Sequence, residues 1–264
     1  MEGEGFLRRT MNLVKGGQSE IKQIGKVVIC TPSLDGNFSI EYHQSLVESI
    51  FILQSLNIAV DRSIVRGDCF IGKSRNHLVN LFYEQQGESL FFVDADQGWD
   101  AKAFVRMVLD HHEIVAGAVP KKADKEENGE MQFNNVDLVT NEKSDCYVEN
   151  GLLQARSVGT GFMRIKKSAL DKFIKAYPEK YNAGDGSKDF HHRIFESGII
   201  NGQFWGEDLY FCKKWCDLGE KLWIDPNIDF SHVGRKVYTG NYLQYLQSRP
   251  TYTITLTQPQ QLAA

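Results

Sequence analysis

Leu90–Asp100 reads LFFVDADQGWD, and this stretch decides how the rest of the chain is read. An apolar run typical of a strand buried on both faces ends in two carboxylates, Asp94 and Asp96, one residue apart. Successive side chains on a strand point to opposite faces, so an extended chain would send both aspartates to the same side. Two carboxylates at the mouth of a buried strand are costly without a cation between them. A hard divalent ion with oxygen ligands, Mg2+ or Mn2+, fits that need and is commonly shared with a substrate diphosphate. Asp-x-Asp alone is equally a polar strand end; its place directly after Phe-Phe-Val is what favours the metal.

Outward from this point, strand and helix patterns alternate. Lys26–Cys30 (KVVIC) reads as a buried strand closed by a Thr31–Gly36 loop. Tyr42, Leu46, Ile50, Leu53 and Leu56 form a helical stripe over Glu41–Leu56. Ile58–Val65 reads as a strand, Ser74–Gln86 as a helix, and Asp100 as the N-cap of a helix carrying Phe104, Met107 and Val108 inward. Glu113–Val119 follows as a strand. This regular alternation over residues 26–119 predicts an α/β fold, with a mostly parallel central sheet flanked by helices.

After Pro120 the character changes. Lys121–Asp145 is polar and reads as a loop, and Asn150-Gly151 between apolar pairs signals a hairpin over Tyr147–Ser157. Thr160–Ile165 reads as a strand, Ser168–Tyr177 as a helix, Glu179–Phe204 as a Gly-rich polar segment suited to movement. Glu207–Leu218 reads as a helix, Leu222–Ile224 as a strand and Pro226–Gly234 as a loop. The expected organisation is a leader over 1–25, a domain over 26–234 with halves 26–120 and 121–234, and a tail over 235–264. The second half supplies a smaller subregion, and the tail ends in a strand-like TYTITLT.

Composition sets the outer limits. With 42% hydrophobic and 24% charged residues in 264, the chain is an ordinary globular sequence long enough for a large core. A formal net charge of −4 gives no general drive toward nucleic acid or anionic membrane. Residues 1–25 lack an apolar signal-peptide core, and Ser49–Val60, the best apolar run, is broken by Gln54, Ser55 and Asn57. Five scattered cysteines make no disulfide scaffold, so a reducing, cytoplasmic compartment is expected. Cys212 and Cys216 read as core residues, and His111-His112 and His191-His192 as structural or surface pairs.

Open α/β sheets bind ligands beyond the carboxyl ends of their strands. The Thr31–Gly36 loop, the Lys73-Ser74-Arg75-Asn76 helix start and the Asp94/Asp96 pair all fall there. A helix N-terminus beside Lys73 and Arg75 suits a phosphate, although both also read as a solvated helix end. No Gly-rich phosphate loop of the Walker or dinucleotide type occurs.

The series KVVICTP, SRN, LFFVDAD, VGTGFMRIKKSAL, WGEDLYFCKKWCDLG and LWIDPNIDFSHVG resembles the GT-A nucleotide-sugar glycosyltransferases, small soluble bacterial and viral members above all. The resemblance covers about residues 26–234 and lies in the order and spacing of motifs that are individually weak. It implies Mn2+ or Mg2+ held by Asp94 and Asp96, with His232 completing the site. It further implies a nucleoside pocket lined by Thr31, Pro32, Asp35 and Arg75, and donor contacts from Lys73, Ala95 and the Gly159-Thr160-Gly161 loop. Gly206-Glu207-Asp208 matches the acidic motif beside the acceptor, where one carboxylate is the general base of inverting members. Asp208 is favoured over Glu207, with helix capping as the other role for both. Trp205 and Gly206 fall on the acceptor side, Trp205 as a stacking ring or a core tryptophan.

The expected activity is transfer of a sugar from a nucleoside-diphosphate sugar, UDP-linked by default, to a hydroxyl of a glycan or small molecule. A modified DNA base is a further acceptor, suggested by Arg235, Lys236, Tyr238, Tyr242, Tyr245 and Arg249 in the tail. A nucleotidyltransferase on a related sheet and a noncatalytic nucleotide-sugar binder are the competing readings. TPSLDG lacks the Gly-rich signature of the first.

Overall fold

The computed structural model describes residues 24–123, 131–133, 136–183 and 190–249. Strand β1 (Val27–Ser33) is buried throughout, and β3 (Ser89–Val93) beside it is equally sealed. Both strands are sandwiched. Val28, Cys30, Leu90 and Phe92 join one core layer, Val27, Ile29, Phe91 and Val93 the other, as the two-residue period of a strand requires. The layer of Phe91 is covered by α1 (Ile40–Ser55) and α3 (Ala101–Leu109). There Phe91 stacks on Phe104 with centroids 4.0 Å apart and meets Phe162 edge-on. Each such buried ring contributes ~1.5–3 kcal/mol through removal from water. The layer of Phe92 is covered by α2 (Ile71–Glu84), α4 (Lys167–Ala176) and α5 (Glu207–Asp217). Cys212 is sealed in this layer, whereas Cys216, expected beside it, is half-buried with its Sγ 3.6 Å from the Arg156 carbonyl.

Two helix starts follow from their caps. The Ser39 hydroxyl accepts the Tyr42 N–H at 3.0 Å, and the Asp100 carboxylate accepts the Lys102 N–H at 3.0 Å. Helix α2 instead begins at Ile71 with no side-chain cap, so Ser74, Arg75 and Asn76 lie inside the helix and are buried, not at an exposed start.

The main sheet has nine strands among the described residues, ordered β2-β1-β3-β9-β5-β14-β8-β6, with β7 on β8. The added strands are β2 (Val60–Arg66), β5 (Ile114–Gly117), β6 (Asp137–Leu138), β7 (Val148–Glu149), β8 (Leu152–Ser157), β9 (Phe162–Lys166) and β14 (Leu222–Asp225). The sheet is mixed, not mostly parallel. Only β1·β2, β1·β3 and β5·β14 are parallel pairs. The β7–β8 hairpin and β9 enter antiparallel, β9 between β3 and β5. The alternation read over residues 26–119 fixes parallel neighbours only within that span; β9, from beyond it, splits β3 from β5. Asn150 and Gly151 take positive φ in the β7–β8 turn, as their types favour.

The segment expected to be loop over Pro226–Gly234 holds β15 (Asp229–Val233). It pairs antiparallel with β4 (Gln97–Trp99) and with β16 (Val237–Asn241) in a second, three-stranded sheet. Phe230 fills the space above Gly117, where a Cβ would stand 2.5 Å from its ring. β16 and α6 (Tyr242–Gln247) continue into the fold, with Tyr242 and Leu246 in the core. The Glu179–Phe204 stretch contains two short hairpins, β10 (Lys180–Asn182) with β11 (Phe190–His192) and β12 (Gly198–Ile200) with β13 (Gln203–Trp205). The leader up to residue 23 and the TYTITLT segment lie outside the described residues. No helix among the described residues is long and apolar enough to cross a membrane.

Candidate active site

β3 ends at Val93, and Ala95 and Asp96 form a turn. Strand alternation therefore does not extend to the aspartate pair, and the two carboxylates meet different cations. Asp94 Oδ1 accepts a hydrogen bond from Arg75 Nη2 at 3.0 Å. Asp96 Oδ2 pairs with Lys122, which follows β5, while its Oδ1 stands 3.4 Å from His232 Nε2. Burial opposes ionisation of Asp96, but His232 and Lys122 outweigh it and hold the carboxyl below its ordinary range.

The small sheet explains how a residue 136 positions away reaches Asp96. His232 pairs in register with Gln97 across β15 and β4, and the Val233 N–H donates to the Asp96 carbonyl at 2.8 Å. His232 Nδ1 lies 2.7 Å from the Pro120 carbonyl, an acceptor only, so Nδ1 carries the hydrogen. Nε2 then faces Asp96 Oδ1 at 3.4 Å, pairing with the carboxylate when the ring carries its second proton and presenting a lone pair when it does not. Two acceptors that face each other need a proton or a cation between them. Of the three expected metal ligands the structure brings His232 and Asp96 face to face, while Asp94 is turned to Arg75, and the three do not gather within 4.8 Å of one another.

A cleft of about 320 Å3 opens beside this pair, lined among others by Arg75, Asp94, the Gly159–Thr160–Gly161 loop, Glu207, Asp208 and His232. Residues far apart in sequence thus share one wall-to-wall space. Gly161 must be small: a Cβ there would stand 2.8 Å from Asp94 Oδ2 and 2.5 Å from Gln97 Nε2. Gly159 leaves Asp208 Oδ2 open, 3.7 Å from where its Cβ would be.

Gly206 precedes α5 with an extended backbone, which sets Glu207 and Asp208 in the first helical turn. There the helix dipole favours negative charge. Asp208 Oδ1 accepts the Leu209 N–H at 2.7 Å, so one oxygen does serve the helix end. Glu207 is held by Arg75, with Nε 3.5 Å from Oε1. Its burial pushes its carboxyl above the ordinary range, Arg75 opposing and Asp208 adding to the effect.

Arg75 is 3% exposed and lies over the Phe92 ring, yet its Nε and Nη1 have no hydrogen-bond partner among the described residues. Gln97 Oε1 and Thr160 Oγ1, also on this cleft, are buried and unpaired in the same way. Buried polar atoms are nearly always bonded, because each one left alone costs about 1–3 kcal/mol. Several together on one cleft mark a place built for a polar ligand.

Other expected site residues lie elsewhere. Thr31 is sealed in β1, its hydroxyl 2.6 Å from that of Tyr42. Pro32 is within β1. Asp35 sits on an exposed turn, lowered in pKa by the Asn37 backbone N–H it accepts. Ala95 accepts the Ser39 N–H at 2.9 Å, tying the turn to α1. Lys73 faces Asp68 at 3.4 Å and lines a second cleft, of about 490 Å3, which shares Ile71 and Glu207 with the first. Trp205 is half-buried at the end of β13, outside both linings. Lys122 and Gln97 were not singled out by sequence: one sits in a polar run and the other is a lone amide, and only the folded chain brings them to the site. No protein-family model matches the chain, and no curated protein matches it.

Proposed function

We propose that the protein is a metal-dependent glycosyltransferase of the GT-A type, moving a sugar from a nucleoside-diphosphate sugar to an acceptor hydroxyl. The single observation that carries this reading is the set of unpaired buried atoms, Arg75 Nη1, Thr160 Oγ1 and Gln97 Oε1, on a cleft that also holds Asp94, His232 and Asp208. A guanidinium donor buried beside carboxylates suits a phosphate that arrives with its own cation. Asp94, Asp96 and His232 are the residues that would hold Mn2+ or Mg2+. Such an ion, when bound, supplies positive charge to the departing diphosphate.

The chain's own groups then divide the remaining work. Arg75 Nη1 donates to a phosphate oxygen as the bond from anomeric carbon to diphosphate breaks and its electron pair passes to that oxygen. Asp208 takes the proton of the attacking hydroxyl on Oδ2, the oxygen that the helix end does not use. Glu207, tied to Arg75, positions the guanidinium. Positioned proton transfer of this kind contributes roughly 10²–10⁴-fold. UDP is the default nucleotide, and a glycan or small molecule the default acceptor.

The test is to incubate the protein with a panel of nucleotide sugars, with Mn2+ or with chelator, and to measure nucleotide release and transfer. Release that needs the metal, is abolished in Asp96→Asn and is cut about 100-fold or more in Asp208→Asn supports the reading. Full turnover in chelator, or in both variants, would remove it. Donor binding without turnover would leave a noncatalytic nucleotide-sugar binder.

A further inference from the structure

At the opposite end of the sheet from the cleft, the loop between α3 and β5 carries Asp110, His111 and His112. Ligand atoms of all three lie within 4.8 Å of one another. Glu149 of β7 faces them from the neighbouring hairpin, its Oε1 3.4 Å from His112 Nε2 and 3.9 Å from His111 Nε2. The sequence offers two adjacent histidines without a spaced partner; the β7–β8 hairpin supplies the third group from 37 positions away.

His112 is fixed for ligation. Its Nδ1 and its backbone N–H both lie 2.8 Å from Asp110 Oδ1, so the carboxylate accepts from each and Nδ1 carries the hydrogen. Its ring packs on Trp223 at 4.7 Å and on His111 at 4.0 Å. The side chain is 9% exposed, yet Nε2 has no hydrogen-bond partner among the described residues. A carboxylate on Nδ1 that leaves the other nitrogen bare is the outer-shell arrangement of metal-binding histidines.

The loop itself cannot drift. Arg164 of β9, fully buried, donates to the carbonyls of Met107, Asp110, His112 and Glu113, and Lys166 to that of His111. These two cations point at backbone oxygens, Arg164 also standing 3.6 Å from Asp110 Oδ1, so the site's own ligands keep their lone pairs.

From this geometry we infer that His111 Nε2, His112 Nε2 and Glu149 Oε1 bind a borderline divalent cation of the Zn2+ class, with Asp110 orienting His112. Ligands ~2.0–2.1 Å from a tetrahedral ion stand roughly 3.3 Å apart, close to the His112–Glu149 spacing. The half-exposed Glu149 and exposed His111 close the remaining gap by side-chain rotation. The ion ties the α3–β5 loop to the β7–β8 hairpin and leaves a fourth position for water. The nitrogen-rich set distinguishes it from the carboxylate-rich pair at the cleft.

Calorimetric titration of the full chain with Zn2+, paired with the visible spectrum of Co2+, tests the inference. His112→Ala should bind one ion fewer per chain than the parent and lose the tetrahedral Co2+ absorption. Glu149→Gln, on an exposed side chain that does not threaten folding, should weaken the same site at least tenfold, and Asp110→Asn about ten- to a hundredfold. Equal stoichiometry and spectra in the parent, His112→Ala and Glu149→Gln would overturn it, as would a parent that binds neither metal.

Discussion

Two arginines are buried among the described residues, Arg75 and Arg164, and they are treated in opposite ways. Arg164, on β9 beside the start of β5, has every nitrogen spent: Nε on Met107, Nη1 on His112 and Glu113, Nη2 on Asp110. Arg75, at the carboxyl end of β3, is almost as deeply buried but spends only Nη2 fully, on Asp94, and leaves Nε and Nη1 unbonded. Burial lowers the Arg164 pKa to about 10, with Asp110 and Glu113 opposing, so it stays charged at neutral pH. One guanidinium is a structural rivet closed on the chain's own carbonyls. The other holds donors in reserve, an expense that makes sense only where something else arrives to take them.

The largest effect expected from this contrast is on stability at the rivet. Arg164→Met should cost about 3–5 kcal/mol in urea or guanidinium unfolding, because four buried carbonyls and Asp110 lose their partner together. A loss under 1 kcal/mol would erase the distinction. Arg75→Met should behave the other way. It should cost clearly less unfolding free energy than Arg164→Met, because only the partly exposed Asp94 and Glu207 lose a partner and Nη1 bonds nothing, while metal-dependent nucleotide release falls about 100-fold, as for a removed transition-state donor. Equal damage to stability from both substitutions would make Arg75 a second rivet.

How much of this was legible in the sequence differs between the same two regions. The buried strands read at Lys26–Cys30 and Leu90–Val93, the Asp100 cap and the Asn150-Gly151 turn are local signals, and local chemistry decides them. Asp94, Thr160, Asp208 and His232 were picked out through the order of their motifs, and they meet in one cleft. Thr-Pro-Ser is turn-like and reads as loop, yet parallel pairing of β1 with β2 runs on to Ser33 and seals Thr31. The Asp229–Val233 strand gives no clear local signal, because its alternation is short and its partner, β4, has three residues. Arg164 sits in an apolar run as a single charge, and nothing local announces carbonyls gathered from 51 to 57 positions away.

A smaller effect sharpens the comparison at the cleft. Gly161→Ala puts a methyl against Asp94 Oδ2 and Gln97 Nε2, so it should cost about 1–3 kcal/mol and weaken donor binding, measured by calorimetry. Gly151→Ala, in the β7–β8 turn with nothing within 4 Å, should lose stability through its positive φ without touching binding. The smallest effect concerns Glu207. Its pKa is raised in the folded state, so its carboxyl favours folding below the ordinary glutamate range, and that advantage is lost as pH rises through the raised value. Glu207→Gln should therefore flatten the fall in stability over that window. An unchanged pH slope would mean that burial at the cleft does not act on this group.

The central claim is that the idle atoms of Arg75 and Thr160 await a nucleotide with its cation. The most direct measurement is a crystal structure with UDP and Mn2+. The account predicts a phosphate oxygen within about 2.7–3.2 Å of Arg75 Nη1, with the ion on Asp96 and His232. A nucleotide bound elsewhere, with those atoms still unpaired, would contradict it.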